Sequence, residues 1–240
     1  MALVALVSTL AVASLAAPQM GTMTDPRDGK TYKTVKIGDQ VWMAENLNYK
    51  TTYSKCYDDN QQNCTKYGRL YGRQSVSQAC PNGWHLPESL EFIILFNEFD
   101  LRTFKQSVSE KDTFDFIENA GNYLKSTTWW NNNGNGSNLA GFSAIPGGNI
   151  TLNRVHNIDR FHGLGEMAFF WTSDYVYVQE THETPLLNVI FALIKTSNDG
   201  AFIKDRIGDG YAGGGFSVRC IKDDKKGKEK LDSLRKEMTK

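Results

Sequence analysis

Four cysteines have the clearest chemical roles in this chain: Cys56, Cys64, Cys80 and Cys220. Cysteine thiolates bind zinc when they are closely paired with each other or with histidines, and neither a Cys-x-x-Cys step nor a histidine cluster accompanies these four. We therefore expect two disulfides. Four cysteines allow three pairings, and the turn-forming residues 58–60 favour Cys56–Cys64, which leaves Cys80–Cys220.

Histidines, serines and glycines form no pattern that predicts catalysis. His156 and His162 flank Asp159, but this spacing does not place two ligands on one helix face as an i, i+4 spacing does. His85 lies in an apolar motif, where packing and a hydrogen bond are its expected roles. The Gly-x-Ser-x-Gly step of serine hydrolases is absent, and the glycine-rich residues 208–215 lack the Lys-Ser/Thr of a phosphate loop. We predict no catalytic residue, no metal ligand and no cofactor, and so no enzyme.

Two adjacent tryptophans mark the candidate binding segment. Trp129 and Trp130 precede three asparagines in residues 126–148, an irregular stretch rich in asparagine and glycine. Indole rings offer a stacking face to a carbohydrate or protein, and amides beside them donate and accept hydrogen bonds. We predict ligand contacts from Trp129, Trp130, Asn131 and Asn133. Burial as a cap on the core is the alternative for Trp130.

The composition indicates one neutral folded domain. Lys and Arg together number 27, as do Asp and Glu, and hydrophobic residues make up 40% of the 240 residues. Nucleic-acid binding needs a basic surface stripe, which this balance does not supply. About 200 residues remain when both ends are set aside, enough for a single core. We predict no nucleic-acid partner.

The first 17 residues predict export. They are apolar apart from Ser8, Thr9 and Ser14, and they end in small residues that resemble a signal-peptide cleavage site, with cutting after Ala16. The segment lacks a basic start, so a buried N-terminal strand is the alternative. No other stretch approaches the 18 apolar residues of a membrane span, so we predict no further membrane segment.

The rest of the chain predicts mixed secondary structure. Alternating residues around the Gly38-Asp39 turn predict a hairpin over residues 31–41. Helices or ordered turns are predicted at residues 71–80, 88–101 and 113–125, and strands at 168–172, 188–195, 201–205 and 215–221. Trp42, Trp84 and Trp171 are assigned to the core. The charged tail, residues 223–240, is expected to form a solvated helix or frayed end, with a partner-binding helix as the alternative.

Ordered motifs along the chain carry a family resemblance. They include Asp28-Gly29-Lys30-Thr31-Tyr32-Lys33, Gln40-Val41-Trp42-Met43-Ala44-Glu45-Asn46-Leu47, Tyr67-Gly68-Arg69-Leu70-Tyr71, Gly83-Trp84-His85-Leu86-Pro87, Gly141-Phe142-Ser143-Ala144-Ile145-Pro146 and Ser217-Val218-Arg219-Cys220. In this order they resemble the Fibrobacter major paralogous domain family over residues 25–222. The resemblance implies a domain of bacterial surface and secreted proteins. The chain departs from the family at three places. Gly72-Arg73-Gln74 stands where a Thr-Trp pair is expected, Phe92 where a Trp often follows the acidic helix start, and Asn138 where an Asp is usual.

A second resemblance concerns the fold. A cysteine at a helix end, a Gly-x-His-Leu step, an acidic helix start and a last-strand cysteine are similar to the C-type lectin-like fold. This implies an α+β domain whose short helices pack on small antiparallel sheets, with long irregular loops and two disulfides. Many such lectins bind sugar through calcium at Glu-Pro-Asn or Gln-Pro-Asp and Trp-Asn-Asp. None of these occurs here, so no calcium site is predicted.

These observations predict a non-catalytic binding or adhesion module that is secreted or held at the bacterial cell surface. Polysaccharide is the expected ligand, because the loop carries aromatics and amides and the resembled family is abundant in bacteria that live on plant fibre. A surface protein is the alternative partner. Two other interpretations are a relative of the formylglycine-generating oxidases, whose chemistry needs a reactive cysteine pair, and a structural protein of the cell envelope.

Overall fold

The computed structural model describes residues 17–98, 104–109, 112–117, 119–153, 158–178, 186–195, 201–206 and 214–238. The predicted signal segment therefore lies outside the described residues except for Ala17. His156 and most of the glycine-rich residues 208–215 lie outside them as well.

Strands outnumber helices in the described part of the chain. The strands are β1 (Gln19–Thr24), β2 (Thr31–Ile37), β3 (Gln40–Met43), β4 (Ser54–Lys55), β5 (Leu70–Gly72), β6 (Trp84–His85), β7 (Phe104–Ser109), β8 (Asp112–Ile117), β9 (Gly147–Asn153), β10 (Ile158–Leu164), β11 (Met167–Val178), β12 (Leu186–Lys195), β13 (Ala201–Arg206), β14 (Gly215–Phe216) and β15 (Ile221–Lys222). The helices are α1 (Gln61–Tyr67), α2 (Arg73–Val76), α3 (Ser89–Asn97), α4 (Ala120–Leu124) and α5 (Lys225–Met238), and a 3-10 turn covers Tyr57–Asp59. The predicted α+β class is confirmed.

The first sheet joins the beginning and the end of the domain. Its strands follow the order β1-β2-β3-β15-β6, and neighbouring strands are antiparallel. Strands β2 and β3 form the hairpin predicted at residues 31–41, which turns at Gly38 with a φ of 56°. In β15, Ile221 pairs with both Trp42 and His85. The last strand therefore lies between two early ones.

The second sheet holds the middle of the chain. Its strands follow the order β4-β5-β14-β9-β11-β12-β13-β8-β7, and β10 pairs with β9. The pairing of β9 with β11 is parallel, at Gly148 and Ala168, and the others are antiparallel. The strands predicted at residues 168–172, 188–195 and 201–205 lie within β11, β12 and β13.

Four predicted elements differ from the structure. Residues 71–80 begin as strand, because Tyr71 pairs with Phe216, and the helical part is limited to α2. Residues 113–125 contain β8 before α4, which agrees with the strand-like alternation of Phe114-Asp115-Phe116. Residues 215–221 form two short strands in different sheets instead of one strand. The helix predicted at residues 88–101 is the shorter α3.

Four aromatic rings unite α3 with both sheets. Phe92 of α3 lies 4.9 Å from the ring centroid of Trp42 and 6.2 Å from that of Phe170. Phe142 lies 5.7 Å from Trp42 and 5.8 Å from Phe170. All four side chains are essentially inaccessible to solvent. Such aromatic pairs stabilise by about 0.5–1.5 kcal/mol beyond the burial of their surface.

A second cluster is built around Trp171. Its Nε1 donates a hydrogen bond to the carbonyl oxygen of Tyr71 at 2.6 Å, and its ring centroid is 4.7 Å from that of Phe216. The assignment of Trp42 and Trp171 to the core is confirmed by their burial. Trp84 is only half-buried and packs against the edge of this cluster, so its assignment to the core is corrected.

Both expected disulfides are present. Cys56–Cys64 ties the 3-10 turn to α1, and Cys80–Cys220 ties the end of the α2 region to the segment before β15. The Cα atoms are 4.9 Å and 5.8 Å apart, within the usual range for disulfides. No cysteine of the four is free.

The charged tail forms α5 and docks on the domain. Leu231 is 6% exposed, Lys230 bonds the carboxylate of Glu98, and Arg235 bonds that of Glu88. The expectation of a solvated helix or frayed end is therefore corrected, because one apolar residue and two ion pairs hold this helix against α3. No helix in the described ranges has the length and apolar character needed to cross a membrane.

Candidate functional site

A polar cleft of about 480 Å³ opens where four segments of the chain meet. Strand β2 contributes Lys33, the chain after β3 contributes Glu45, α1 contributes Lys66, and the irregular loop contributes Trp129. Hydroxyl and amide groups, including the amide of Asn138, also line the cleft, together with a few apolar residues. Charged, polar and aromatic groups therefore converge at this one place.

Arg219 supports the floor of the cleft from below. Its fully buried side chain donates hydrogen bonds to Oδ1 of Asn46 at 2.6 Å and to the carbonyl oxygen of Met43 at 3.1 Å. Two further bonds reach the carbonyl oxygens of Phe142 at 2.7 Å and Ser143 at 2.8 Å. One side chain thus fixes the chain after β3 relative to the end of the irregular loop.

Glu45 connects this buried cation to the cleft wall. Its Oε2 accepts a hydrogen bond from the backbone N–H of Lys33 at 2.7 Å. Burial lowers the pKa of Arg219 to about 9, an effect that the negative charge of Glu45 opposes. The guanidinium is therefore charged at neutral pH, and its positive potential lies beneath the cleft.

Trp129 forms an aromatic edge of the cleft. Its side chain is 46% exposed, and its ring centroid lies 6.1 Å from that of Tyr67 in an edge-to-face arrangement. The Nζ atom of Lys66 lies 5.2 Å from the Trp129 centroid and 4.8 Å from the Tyr67 centroid. An accessible indole therefore stands beside an ammonium group, as the prediction of a surface role for Trp129 requires.

The backbone at Trp129 is held in an unusual conformation. Its φ of 77° lies in the left-handed region, which a bulky side chain rarely adopts and which costs about 1–3 kcal/mol. Hydrogen bonds on either side hold the turn: Ser126 Oγ donates to the carbonyl oxygen of Thr128 at 2.6 Å, and the N–H of Trp130 donates to Oδ1 of Asn135 at 3.1 Å. The hydrogen bonds of the loop thus keep the indole exposed, although the backbone conformation at Trp129 is strained.

The neighbouring Trp130 is a core residue. It is 4% exposed, packs within the cluster that contains Trp42, and donates from Nε1 to the carbonyl oxygen of Ala144 at 3.0 Å. An indole enclosed in this way presents no face to a ligand. The prediction that Trp130 contacts ligand is therefore corrected in favour of the alternative, burial in the core.

The structure does not bring Asn131 and Asn133 into the cleft with Trp129. Both are exposed, but neither lines the cleft. The backbone N–H of Asn131 donates to the carbonyl oxygen of Gly165 at 2.8 Å, and Asn133 has a φ of 57°. Their placement indicates roles in turning and anchoring the loop, because asparagine tolerates the left-handed region better than most residues.

Asn138 shapes the opposite end of the loop. Its Oδ1 accepts from the N–H of Ser143 at 2.8 Å, and its Nδ2 donates to Ser143 Oγ at 2.9 Å. An aspartate could accept the first bond but could not donate the second. The amide therefore makes both bonds without placing a negative charge in the cleft.

Lys33 and Lys66 are the cleft residues that sequence reasoning missed. Lys33 alternates with the buried Tyr32 and Thr34, so the strand pattern alone indicates an exposed side chain. Lys66 occupies the last turn of α1. No local signal predicts that either lysine lies beside Trp129, because the cleft is assembled from segments far apart in the chain.

His85 lies in a separate charged cluster next to α5. Its Nε2 is 3.1 Å from both carboxylate oxygens of Glu91, and its Nδ1 is 2.5 Å from Oδ1 of Asp223. Burial opposes protonation, but hydrogen bonding and attraction from Glu91 and then Asp223 outweigh it and raise the pKa of His85 to about 9. The protonated imidazole therefore links β6 to α3 and to the chain after β15.

No group of three or more potential metal ligands occurs among the residues whose positions are described. His162 pairs through Nε2 with Thr151 Oγ1 at 3.2 Å. Because His156 lies outside the described residues, the expectation that these two histidines form no metal site stays a prediction.

The fold and the cleft define a disulfide-bonded α+β domain with an aromatic residue at the edge of a polar cleft. Residues 35–222 match the family described as the Fibrobacter succinogenes major domain, and the chain belongs to that family. Comparisons with curated proteins and with solved structures gave no match. The likeness to the C-type lectin-like fold stays a prediction.

Proposed function

We propose that this chain is a non-catalytic binding module, secreted or displayed at the cell surface, that takes a polysaccharide in the cleft beside Trp129. The observation that carries the proposal is the 46% exposure of an indole at the edge of a polar cleft. Indoles are usually much more buried, and a tryptophan held open in a strained turn favours recognition over packing.

The remaining lining suits a sugar. Thr127, Thr128 and Asn138 line the cleft near Trp129 and supply hydroxyl and amide groups. A sugar ring has an apolar face that stacks on an indole and hydroxyl groups that exchange hydrogen bonds with such side chains. A flat protein surface would make less use of a recess than a sugar does, so a surface protein is the second candidate partner.

The two disulfides support an extracytoplasmic location. Disulfides persist in oxidising compartments and are rare in reducing ones. They also weigh against an oxidase that needs a reactive cysteine pair, because all four thiols are engaged in disulfides. A purely structural role in the cell envelope would not explain why the side chain of Trp129 is exposed.

A glycan array followed by calorimetric titration tests this function. We expect the full chain to bind at least one polysaccharide and Trp129→Ala to weaken that binding by about 1–3 kcal/mol without unfolding the domain. Tyr53→Ala is the matched control, because Tyr53 is 56% exposed and lies outside the cleft. A chelator should leave the binding unchanged. Failure to bind any glycan, or equal effects of the two variants, would contradict the proposal.

A further inference from the structure

We propose that the polysaccharide taken by this cleft is acidic and carries carboxylate groups, which Lys33 and Lys66 recognise beside the stacking face of Trp129. This inference rests on the proposed function and narrows the class of ligand. It is carried by the distribution of charge around the cleft, which differs from the neutral balance of the chain as a whole.

The positive charges at the cleft exceed the negative ones. Lys30, Lys33 and Lys66 line it and Arg219 lies beneath it. Two carboxylates offset these charges: that of Asp28, which pairs with Lys30, and that of Glu45, which attracts Arg219. Two cations are thus left without a carboxylate counterpart. An anionic ligand would restore the local balance.

Two of these four cations, Lys30 and Arg219, already have partners within the protein. Lys30 forms an ion pair with Asp28 at 2.9 Å and donates to the carbonyl oxygen of Asn48 at 2.7 Å. Arg219 uses its donors on buried oxygens and is attracted by Glu45. Because these two side chains already bond to groups of the protein, they contribute to the electrostatic potential of the site. Direct contacts to the ligand must come from other side chains.

Lys33 and Lys66 remain available. Both are exposed, and neither ammonium makes an ion pair with a carboxylate in the described part of the chain. Strand β2 holds the backbone of Lys33 and helix α1 holds that of Lys66, so two separate elements bring an ammonium group to one cleft. A uronic-acid chain carries a carboxylate on each sugar and could therefore engage both ammonium groups.

The position of Lys66 links charge recognition to stacking. Its ammonium lies 5.2 Å from the Trp129 centroid, so a sugar resting on the indole would bring a ring carboxylate within reach of it. An exposed cation–π contact is worth about 0.5–1 kcal/mol, less than a charge-assisted hydrogen bond. Exchanging the contact with the ring for a hydrogen bond to an incoming carboxylate is therefore favourable for Lys66.

Asn138 contributes to the same selectivity. An aspartate at this position would place a further negative charge in the cleft lining and repel an acidic chain. The amide makes two hydrogen bonds with Ser143 without that charge. Asn138 therefore leaves the positive balance of this cleft intact.

The test compares two polymers that differ only in whether each sugar carries a carboxylate or a neutral hydroxymethyl group. Polygalacturonate and the same polymer after reduction of its carboxyl groups to hydroxymethyl groups are titrated into the full chain at low and high salt. We expect polygalacturonate to bind about 10-fold more tightly at low salt, with the difference shrinking as salt screens the attraction. Dextran sulfate serves as a polyanion that lacks carboxylates and should bind more weakly.

Variants then assign the effect to the cleft. Lys33→Gln and Lys66→Gln should each weaken polygalacturonate binding about 3- to 10-fold and leave the reduced polymer unaffected. Lys36→Gln is the matched control, because Lys36 is exposed on the same strand, β2, and does not line the cleft. A loss of the same size for Lys36→Gln would show attraction to the whole surface and overturn the assignment.

The outcomes separate this inference from the proposed function. If the two polymers bind equally and Trp129→Ala weakens both, the site binds polysaccharide but the acidic class is wrong. If dextran sulfate binds as tightly as polygalacturonate, the recognition of carboxylates is wrong. If no glycan binds at all, both the proposed function and this inference are overturned.

Discussion

Arg219 donates a hydrogen bond from Nε to Oδ1 of Asn46 at 2.6 Å, across 173 positions of the sequence. Asn46 in turn donates from Nδ2 to the carbonyl oxygen of Tyr67 at 2.8 Å and to Ser217 Oγ at 3.2 Å. This pair therefore joins the chain after β3, the end of α1 and the final motif. The cleft walls that carry Lys66 and Glu45 are positioned by a buried polar network.

Replacing Arg219 should destabilise the whole domain. Arg219→Met fills similar volume but leaves Asn46 and the carbonyl oxygens of Met43, Phe142 and Ser143 short of donors in a buried setting. We expect the free energy of unfolding to fall by about 3–5 kcal/mol, because each unsatisfied buried group costs about 1–3 kcal/mol before relaxation. Urea denaturation measures this loss. Arg73→Met, at an exposed arginine, is the control and should change stability little.

The sequence predicts the parts of this molecule that are local or covalent. The β2–β3 hairpin, helix α3 and the Cys56–Cys64 bridge follow from alternation, acidic capping residues and a short turn. Local sequence patterns could not show that Trp129 is exposed and Trp130 is buried. They are adjacent in the chain, and burial of one and exposure of the other depend on Tyr67 and Ala144, which other segments bring to the loop.

Long-range assembly also explains the missed elements. The sequence of the tail has one apolar face and many charges. This pattern is compatible with a solvated helix and with a helix that docks on the domain. Docking depends on Glu88 and Glu98 of the α3 region meeting Arg235 and Lys230. That geometry is set by the position of β15 between β3 and β6, a feature of sheet order that no local pattern encodes.

The charged cluster at His85 should make stability depend on pH. Its pKa is raised from 6.5 to about 9 in the folded chain by Glu91 and Asp223, against the effect of burial. A raised folded pKa contributes stability that is fully present below the unfolded pKa and is lost as pH rises through the folded one. We therefore expect stability to decline between about pH 6.5 and 9.

Thermal unfolding at several pH values measures this decline. His85→Gln keeps a hydrogen-bonding side chain but cannot titrate, so it should flatten the profile in that interval. Because the imidazole is 41% exposed, solvent screening keeps the change modest. An unchanged slope in His85→Gln would assign the decline to other groups and contradict the role given to this cluster.

Helix α5 should detach locally when its apolar anchor is removed. Leu231 is 6% exposed, and Leu231→Ala is expected to cost about 2–3 kcal/mol of docking free energy, at the lower end for a buried leucine because the helix lies at the surface. Amide hydrogen exchange should accelerate along α5 while the β2–β3 hairpin stays protected. Ser233→Ala, at an exposed position of the same helix, should leave exchange unchanged.

The two disulfides should contribute to different properties. Cys80–Cys220 closes a separation of 140 residues and Cys56–Cys64 one of 8. In the chain-entropy model the long loop stabilises by about 5 kcal/mol and the short one by about 2.5 kcal/mol. Replacing Cys80 and Cys220 by alanine should therefore lower the free energy of unfolding more, as measured by urea denaturation.

The affinity for ligand should depend more on the short disulfide, Cys56–Cys64, than on the long one, Cys80–Cys220. Cys64 lies in α1 and lines the cleft, and the same helix carries Lys66 and Tyr67 beside Trp129. Replacing Cys56 and Cys64 by alanine loosens this helix, so polygalacturonate affinity should fall even where the domain remains folded. The Cys80 and Cys220 double variant, titrated under conditions in which it is folded, should bind nearly as the parent does. Equal affinities of the two double variants would show that α1 does not form a wall of the binding site.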